Sequence, residues 1–424
     1  MKVAMVSKLV SDTIEISGQW LREMDLRGLV EERLSSTGMI DADVDVVAIG
    51  KAAREMSDAA SSILGIRVMR SLVICDRESA AREPRADHVV VGEHPVPGSG
   101  SMEAGRRLLA FLDDSSNVRC TLFLISGGAS SLCVVPEPPL GLAHLASVWA
   151  AALASGVDIT TLNKVRAATS QIAGGSVLRR VRTEQSLSLI MVDNVVSGAE
   201  WVASAMTYDY APGYDEMATL LARLKLSESG LGAELLEASR RHNEAMAAPT
   251  GGRHENIVVV EPSTVLAHAR DEARRRGYRV VEMGSRVQGD VSEVSAEWGA
   301  VLRIECVRGD PICILGVGEV TVRVRGAGSG GRCQEFAWTM AGVLAQFDRP
   351  GAFVARSSDG RDFIQGVGGA WVDGLTQERV AREGIDWAQV LEQNDTYQAL
   401  HAIGQLIAGG HTGWNLCDVY VGLM

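Results

Sequence analysis

Thr121-Leu122-Phe123-Leu124-Ile125-Ser126-Gly127-Gly128-Ala129-Ser130-Ser131 is an apolar run that stops abruptly in a loop of small residues. A run without polar alternation has both faces buried, which is the mark of a strand inside a parallel sheet. The loop after it carries no bulky side chain. Its backbone can approach an anion closely, and its hydroxyls can add hydrogen bonds. A tight turn into a helix reads the same way. No Gly-Lys-Ser/Thr closes the loop, so it is not a Walker A sequence.

The same grammar recurs on both sides. Val44-Asp45-Val46-Val47-Ala48-Ile49 is closed by Gly50, and Ala53, Met56, Ala60, Ile63 and Leu64 follow near helical spacing. Ser71 to Cys75, His88 to Val91 and Leu187 to Val192 are further compact apolar runs, and Gly105 to Leu112 reads as helix. Short apolar strands alternating with helices predict an α/β, Rossmann-like parallel-sheet domain. The first residues, up to about Met39, read as amphipathic helix, and helical patterns run from Tyr214 to Glu244. Ala247-Ala248-Pro249-Thr250-Gly251-Gly252 is small and turn-rich, and it reads as a linker. The expected domains are therefore 1–246 and a smaller mixed α/β domain over 253–424. In the latter, Val320-Thr321-Val322-Arg323-Val324-Arg325 alternates with period two, as a half-exposed strand of a mixed sheet does.

Length and charge bound the function. A chain of 424 residues suits two domains at about 100–200 residues each. A formal charge of −12 repels nucleic acid and anionic lipid, which leaves a small molecule as the expected partner. The seven cysteines form no CxxC pair and sit mostly in apolar stretches, as buried thiols in a reducing compartment do. The start lacks a signal-peptide core, and no apolar run reaches the ~18 residues of a membrane span, so a cytoplasmic protein is expected. The oligomeric state stays open, a homodimer included.

Other loops carry candidate chemistry. Lys51 follows Gly50 at a helix start, where a cation and unpaired backbone N–H groups can meet an anion. Gly326-Ala327-Gly328-Ser329-Gly330-Gly331 spells GxGxxG, but it follows an alternating strand late in the chain, which argues against a dinucleotide fingerprint. Arg332 follows it, and Gly330-Gly331-Arg332 reads better as a phosphate or carboxylate clamp. Asp193 and Asp359 close apolar runs, where either could hold Mg2+, accept a proton or simply cap a turn. His94, in Glu93-His94-Pro95-Val96-Pro97, fits a loop-shaping role.

In order, these stretches resemble the glycerate 2-kinase family, the class II glycerate kinases. The C-terminal part of that family is the domain named for a multi-organism fragment rich in leucine. The matching segments are Gly50-Lys51-Ala52-Ala53, His94 to Pro97, Ile125 to Gly128, Leu153 to Ile159, Asn163-Lys164-Val165-Arg166, Gly174-Gly175, Gly318-Glu319, Gly330 to Arg332 with Gln334-Glu335, Asp359-Gly360, Gly369-Ala370 and Thr412-Gly413. The resemblance implies ATP-dependent phosphorylation of the 2-hydroxyl of glycerate, with Mg2+, in a cleft between two domains. It implies Lys51 and Arg332 as a cationic pair and Asp193 as a metal or hydroxyl contact. It further implies Ser126, Gly127, Gly128, Ser130, Asn163, Arg166, Gly330, Gly331 and Asp359 around the nucleotide.

Departures from the family pattern cluster in loops. One of two usual aspartates remains in Val192-Asp193-Asn194-Val195-Val196-Ser197, and an Ala-Ser-Gly-Pro-Thr run is Ala203-Ser204-Ala205-Met206-Thr207. Ala173 replaces a Lys, Cys333 an Asn and Trp414 a Thr, and the loop from Asp359 to Gly366 keeps fewer carboxylates. Such changes point to an altered acceptor. The competing expectations are a kinase of another hydroxylated compound and a catalytically weak ligand-binding homologue.

Overall fold

A computed structural model describes residues 2–81, 88–114, 118–193 and 198–424. The described residues form two sheets of six strands each. The first contains β1 (Val44–Ile49), β2 (Val68–Cys75), β3 (His88–Val91), β4 (Cys120–Ile125), β5 (Gln185–Met191) and β6 (Arg253–Val260). Its order is β3-β2-β1-β4-β5-β6, and every pairing is parallel. β1 and β4 are buried at every residue, as their unbroken apolar runs require. Val47, Ile49, Phe123 and Ile125 share one core with Leu108 and Leu112 of the helix Ser99–Asp113.

A second core in the same unit is wholly helical. Leu140, Val148, Leu162, Val165, Leu220 and Leu235 pack together from the helices Leu142–Ser155, Ile159–Ala168, Tyr214–Arg223 and Gly230–Met246 and the turn before them.

The other sheet contains β7 (Arg279–Asp290), β8 (Ile312–Thr321), β9 (Ala352–Ser357), β10 (Val367–Asp373), β11 (Leu406–Ala408) and β12 (Asp418–Leu423), in the order β11-β10-β9-β12-β8-β7. Only β7 and β8 run parallel, so this sheet is mixed, as expected. Trp298, Phe336, Phe353 and Tyr420 meet edge to face in its core, with ring centroids 4.9–6.3 Å apart. The alternation expected over Val320–Arg325 belongs to the strand only as far as Thr321. Beyond it, the N–H groups of Arg325 and Gly326 donate to the Asn394 side chain instead of a neighbouring strand.

The expected boundary needs correction. The compact units are Asp25–Val260, and Met1–Met24 with Glu261–Met424. The turn-rich segment 247–252 is not a linker between them, because β6 beyond it completes the first sheet against β5. The amphipathic N-terminus is broken into the helices Lys2–Gly18, Trp20–Glu23 and Leu26–Ser36. The first of these packs with β9 and β12. Ile16, Ser17 and Trp20 are buried there, and Gly18 lies so close to Arg356 that a Cβ would stand 1.6 Å from its guanidinium nitrogen. Asp12 anchors the helix. It accepts from Arg276 at 2.7 Å, from the Tyr278 hydroxyl at 2.7 Å and from Lys8 at 3.1 Å.

Burial of Asp12 raises its pKa, but the hydrogen bonds from Tyr278, Arg276 and Lys8 outweigh burial and hold it below the usual carboxylate value. Its stabilising contribution is then present above the unfolded-state value of about 3.9 and is lost as pH falls below it. Asp12→Ala should cost about 2–3 kcal/mol in urea unfolding at neutral pH, and the difference from wild type should shrink in acid. A cost under about 0.5 kcal/mol would mean the anchor is dispensable.

Candidate active site

Strand order selects the site. β1 lies between β2 and β4, so the crossovers that leave β1 and β4 depart in opposite directions. In open parallel sheets the crevice at such a reversal, beyond the carboxyl ends of the strands, is where ligands bind. Ile49 and Ile125 are register partners, so the loops Gly50-Lys51-Ala52 and Ser126-Gly127-Gly128 emerge side by side.

Hydrogen bonds join the two loops. Ser126 N–H donates to Ile49 O at 3.0 Å, Lys51 N–H to Gly127 O at 2.9 Å, and Ala52 N–H to Ser126 Oγ at 3.0 Å. Gly50 has φ of +129°, and a Cβ there would lie 2.2 Å from Ser126 Oγ and 2.5 Å from Ser126 O. Only glycine fits both the dihedral and the space. Gly128, at φ +84°, is flanked by the Lys51 side chain at 3.2 Å and the His94 ring at 3.3 Å from its would-be Cβ. Lys51, Gly127, Gly128 and His94 are therefore brought together. Ser126 is fully buried, and its hydroxyl accepts from Ala52 at the junction of the two loops. Its spacing was legible, but its inward direction was not.

A second layer continues through Ser130. Its hydroxyl lies 2.8 Å from that of Ser204, which is 3.4 Å from Asn163 Oδ1. Ser204 belongs to the Ala203–Thr207 run that departs from the family pattern, and nothing in the sequence marks it as a partner of Ser130. It sits in a stretch where Ala203, Ser204 and Ala205 all have φ between +53° and +59°, a conformation unfavourable for residues with a Cβ. Gly174 and Gly175 hold this stretch, donating to Ser204 O at 3.1 Å and Ala205 O at 2.8 Å. Arg166, on the same helix as Asn163, makes no hydrogen bond or ion pair among the described residues. Its guanidinium lies over the Trp149 ring at 5.1 Å. Asp193 follows β5 and is half-buried, and residues 194–197 lie outside the described residues.

In the other unit Arg332 is firmly held. Its Nε and Nη2 donate to the two oxygens of Asp418 at 2.6 and 3.0 Å, and Nη1 pairs with Glu319 at 2.8 Å. Asp418 is fully buried and also accepts from the Tyr420 hydroxyl at 3.2 Å. Burial alone would lower the pKa of Arg332, but Asp418 and Glu319 raise it above the ordinary value, so it stays a cation. A guanidinium has five N–H donors, and these contacts leave two for a ligand.

The adjacent glycine loop is less open than its sequence suggests. Cys333 and Gln334 N–H groups donate to Asp362 at 3.0 and 2.9 Å, and a Cβ on Gly331 would stand 2.2 Å from the same carboxylate. Burial, then the charge of Asp418, pushes Asp362 up to about 6. Cβ atoms on Gly326, Gly328 and Gly330 would collide with Gln393, Asp395 and Thr396. These glycines serve chain-to-chain packing. Asp359 accepts from Ser357 Oγ at 2.8 Å and from Arg361 N–H at 2.9 Å, closing its own turn.

A family model described as Domain of unknown function (DUF4147) matches residues 2–236. The chain belongs to the DUF4147 family. A model described as MOFRL family matches residues 312–418, so this DUF4147 chain carries both parts in sequence. It is 28% identical to the D-glycerate 2-kinase of Thermotoga maritima, over 90% of each chain. It is 26% identical to the glycerate 2-kinase of Pyrococcus horikoshii, over 98% of this chain and 96% of that one. The crystal structure of glycerate kinase from Thermotoga maritima superposes with a TM-score of 0.84 at 26% identity, covering 99% of this chain and 100% of that one. No helix of the described residues is long and apolar enough to cross a membrane.

The junction of the two loops makes a sharp demand of this DUF4147 chain. Gly50→Ala should destabilise it by about 2–4 kcal/mol in denaturant unfolding, through both strain and overlap with Ser126. A change under about 1 kcal/mol would show that the loops are not packed as described.

Proposed function

We propose that the chain is an ATP-dependent phosphotransferase that transfers the γ-phosphoryl group to the 2-hydroxyl of glycerate or a closely related small hydroxy acid. One observation carries the reading. Lys51 is fixed at the sheet's switch point by hydrogen bonds between its own loop and the Ser126–Gly128 loop. This occurs in a chain whose relatives over nearly its whole length are named glycerate 2-kinases.

Phosphoryl transfer asks the protein mainly for positioning and for neutralisation of charge on the moving oxygens. Lys51 is a compact ammonium on a constrained loop and supplies neutralising charge. Arg332 supplies a second cation whose plane is set by the Asp418 carboxylate, with two donors to spare. Gly127 and Gly128 keep the backbone beside Lys51 free of bulk. Ser130 and Asn163, joined through Ser204, offer polar groups for the nucleotide or the acid. Gly330 and Gly331 are assigned to nucleotide phosphates only as sequence neighbours of Arg332, since their local geometry is already explained by packing; Asp359, a carboxylate in a closed turn, would face phosphates only across Mg2+.

Mg2+ belongs to the proposal through the nucleotide. The described residues contain no group of three or more His, Cys, Asp or Glu side chains able to hold a metal. Mg2+ that arrives on nucleotide phosphates keeps several waters and needs only one or two carboxylates. Asp193 is the residue proposed to meet it. Bound there, Mg2+ would offset phosphate charge.

A nicotinamide-dependent reductase is the reading not favoured. The GxGxxG glycines abut Gln393–Thr396, which leaves them no room beside a pyrophosphate. A kinase of a different hydroxylated acceptor stays within the same chemistry. Cytoplasmic action on a small hydroxy acid completes the proposal.

The test is ADP release from Mg-ATP across a panel of hydroxy acids and sugar acids. Turnover with glycerate is expected, and Lys51→Ala and Arg332→Ala should each lower kcat by about 100- to 1000-fold. Full turnover in both variants would overturn the assignment of the two cations.

A further inference from the structure

In the β1–β6 unit a partly open cavity lies where the helical core meets the sheet core, and the kinase reading alone does not assign it. Its walls are overwhelmingly apolar, with Val134, Val135, Leu140, Leu145, Val148 and Ile172 among them. Arg166 lines it, and Ser130 and Ser204 stand at its edge. Among the described residues no carboxylate pairs with Arg166, and no hydrogen bond satisfies it. Among the described residues its guanidinium faces the Trp149 ring alone, at 5.1 Å.

Arg166 is half-buried, and a cation held against an apolar wall without a counter-ion is costly, because a low-dielectric wall penalises an isolated charge. The same wall strengthens any ion pair that forms inside it. Other polar groups on this wall have partners of their own. Thr169 Oγ1 donates to Val165 O at 2.7 Å and Ser170 Oγ to Val135 O at 3.3 Å, while His144 Nδ1 accepts from Gly141 N–H at 2.8 Å and its Nε2 lies 3.0 Å from Glu234. Burial lowers the pKa of Arg166 to about 10, which leaves it charged at neutral pH and in want of an anion.

Size decides which anion. The cavity volume is about 40 Å3. One water needs about 10–15 Å3 on this scale, so the space holds roughly three heavy atoms, the size of a carboxylate, and not the roughly ten of a nucleobase. Ser130, on the cavity lining, lies two residues beyond Gly128, whose would-be Cβ stands 3.2 Å from the Lys51 side chain.

We propose that Arg166 and its apolar cavity form the carboxylate anchor for the acceptor. Arg166 pairs with the carboxylate, which the cavity has room for. This replaces the expected assignment of Arg166 to the nucleotide. It rests on the phosphotransferase reading for the identity of the acid as acceptor.

The test is calorimetric binding of D-glycerate, lactate, glycerol and ADP, each alone, to the full-length wild type, Arg166→Gln and Arg166→Lys. The wild type should bind glycerate and lactate and reject glycerol, which lacks the carboxylate. Arg166→Gln should weaken both monocarboxylates by about thirty-fold while ADP affinity stays within about two-fold, with partial recovery in Arg166→Lys. Unchanged ADP affinity also shows that the variant is folded. If Arg166→Gln fails that check, the wild-type preference and Arg166→Lys decide. Glycerol binding as tight as glycerate, no monocarboxylate binding by the wild type, or loss of ADP with glycerate unmoved would each overturn the anchor. Failure of the kinase reading looks different: acids bind and depend on Arg166, yet no acid supports ADP release.

Discussion

The contact between Gly50 and Ser126 is the constraint on which the site depends. Two in-register parallel strands end together, and their loops can turn away in opposite directions only if the backbones pass within van der Waals range. Glycine at a left-handed φ permits that approach, and the Ser126 hydroxyl converts it into a hydrogen bond to Ala52. Lys51 lies between two residues so fixed. Its position is a property of the sheet and not of a flexible loop, which is what a group that must meet developing charge requires.

The two proposed cations are held by different physics. Lys51 is placed by its backbone, and its ammonium is carried on a half-buried stem. Arg332 is placed by its side chain, locked between a buried Asp418 and the more exposed Glu319. Burying Asp418 is favourable only with such a partner, so carboxylate and guanidinium stabilise each other's charge. Asp362 caps the helix that begins at Arg332 and lies within the field of Asp418. Arg332 therefore belongs to a small network of acids, and its net field at a ligand is weaker than that of an isolated arginine.

The sequence reveals these features unevenly. β1 and β4 were legible because strands buried on both faces leave no polar residue to mislead, and Lys51 and the Ser-Gly-Gly loop were legible because they end those strands. The partner of the N-terminal helix was not legible, since amphipathic spacing shows that a face is buried but not against what. Here the partner sheet starts more than two hundred residues later. The turn-rich segment 247–252 looked like a boundary because turns before a strand and turns between domains share a composition. Ser126 had the spacing of a phosphate cradle, and only the three-dimensional register shows its hydroxyl turned inward. Asp418 and Asp362 pair with residues 86 and 29 positions away and leave no local signature. Arg166 was visible within its motif, but its lack of a counter-ion becomes visible only in the fold.

The phosphoryl group is predicted to arrive at one particular oxygen, that of the 2-hydroxyl. Phosphorus NMR of the product formed from Mg-ATP and D-glycerate reads this directly. A phosphate on the 2-position couples to a single methine proton and gives a doublet, which is the predicted result. A triplet, from coupling to a methylene pair, would place the phosphate on the 3-position and contradict the account, as would release of inorganic phosphate alone.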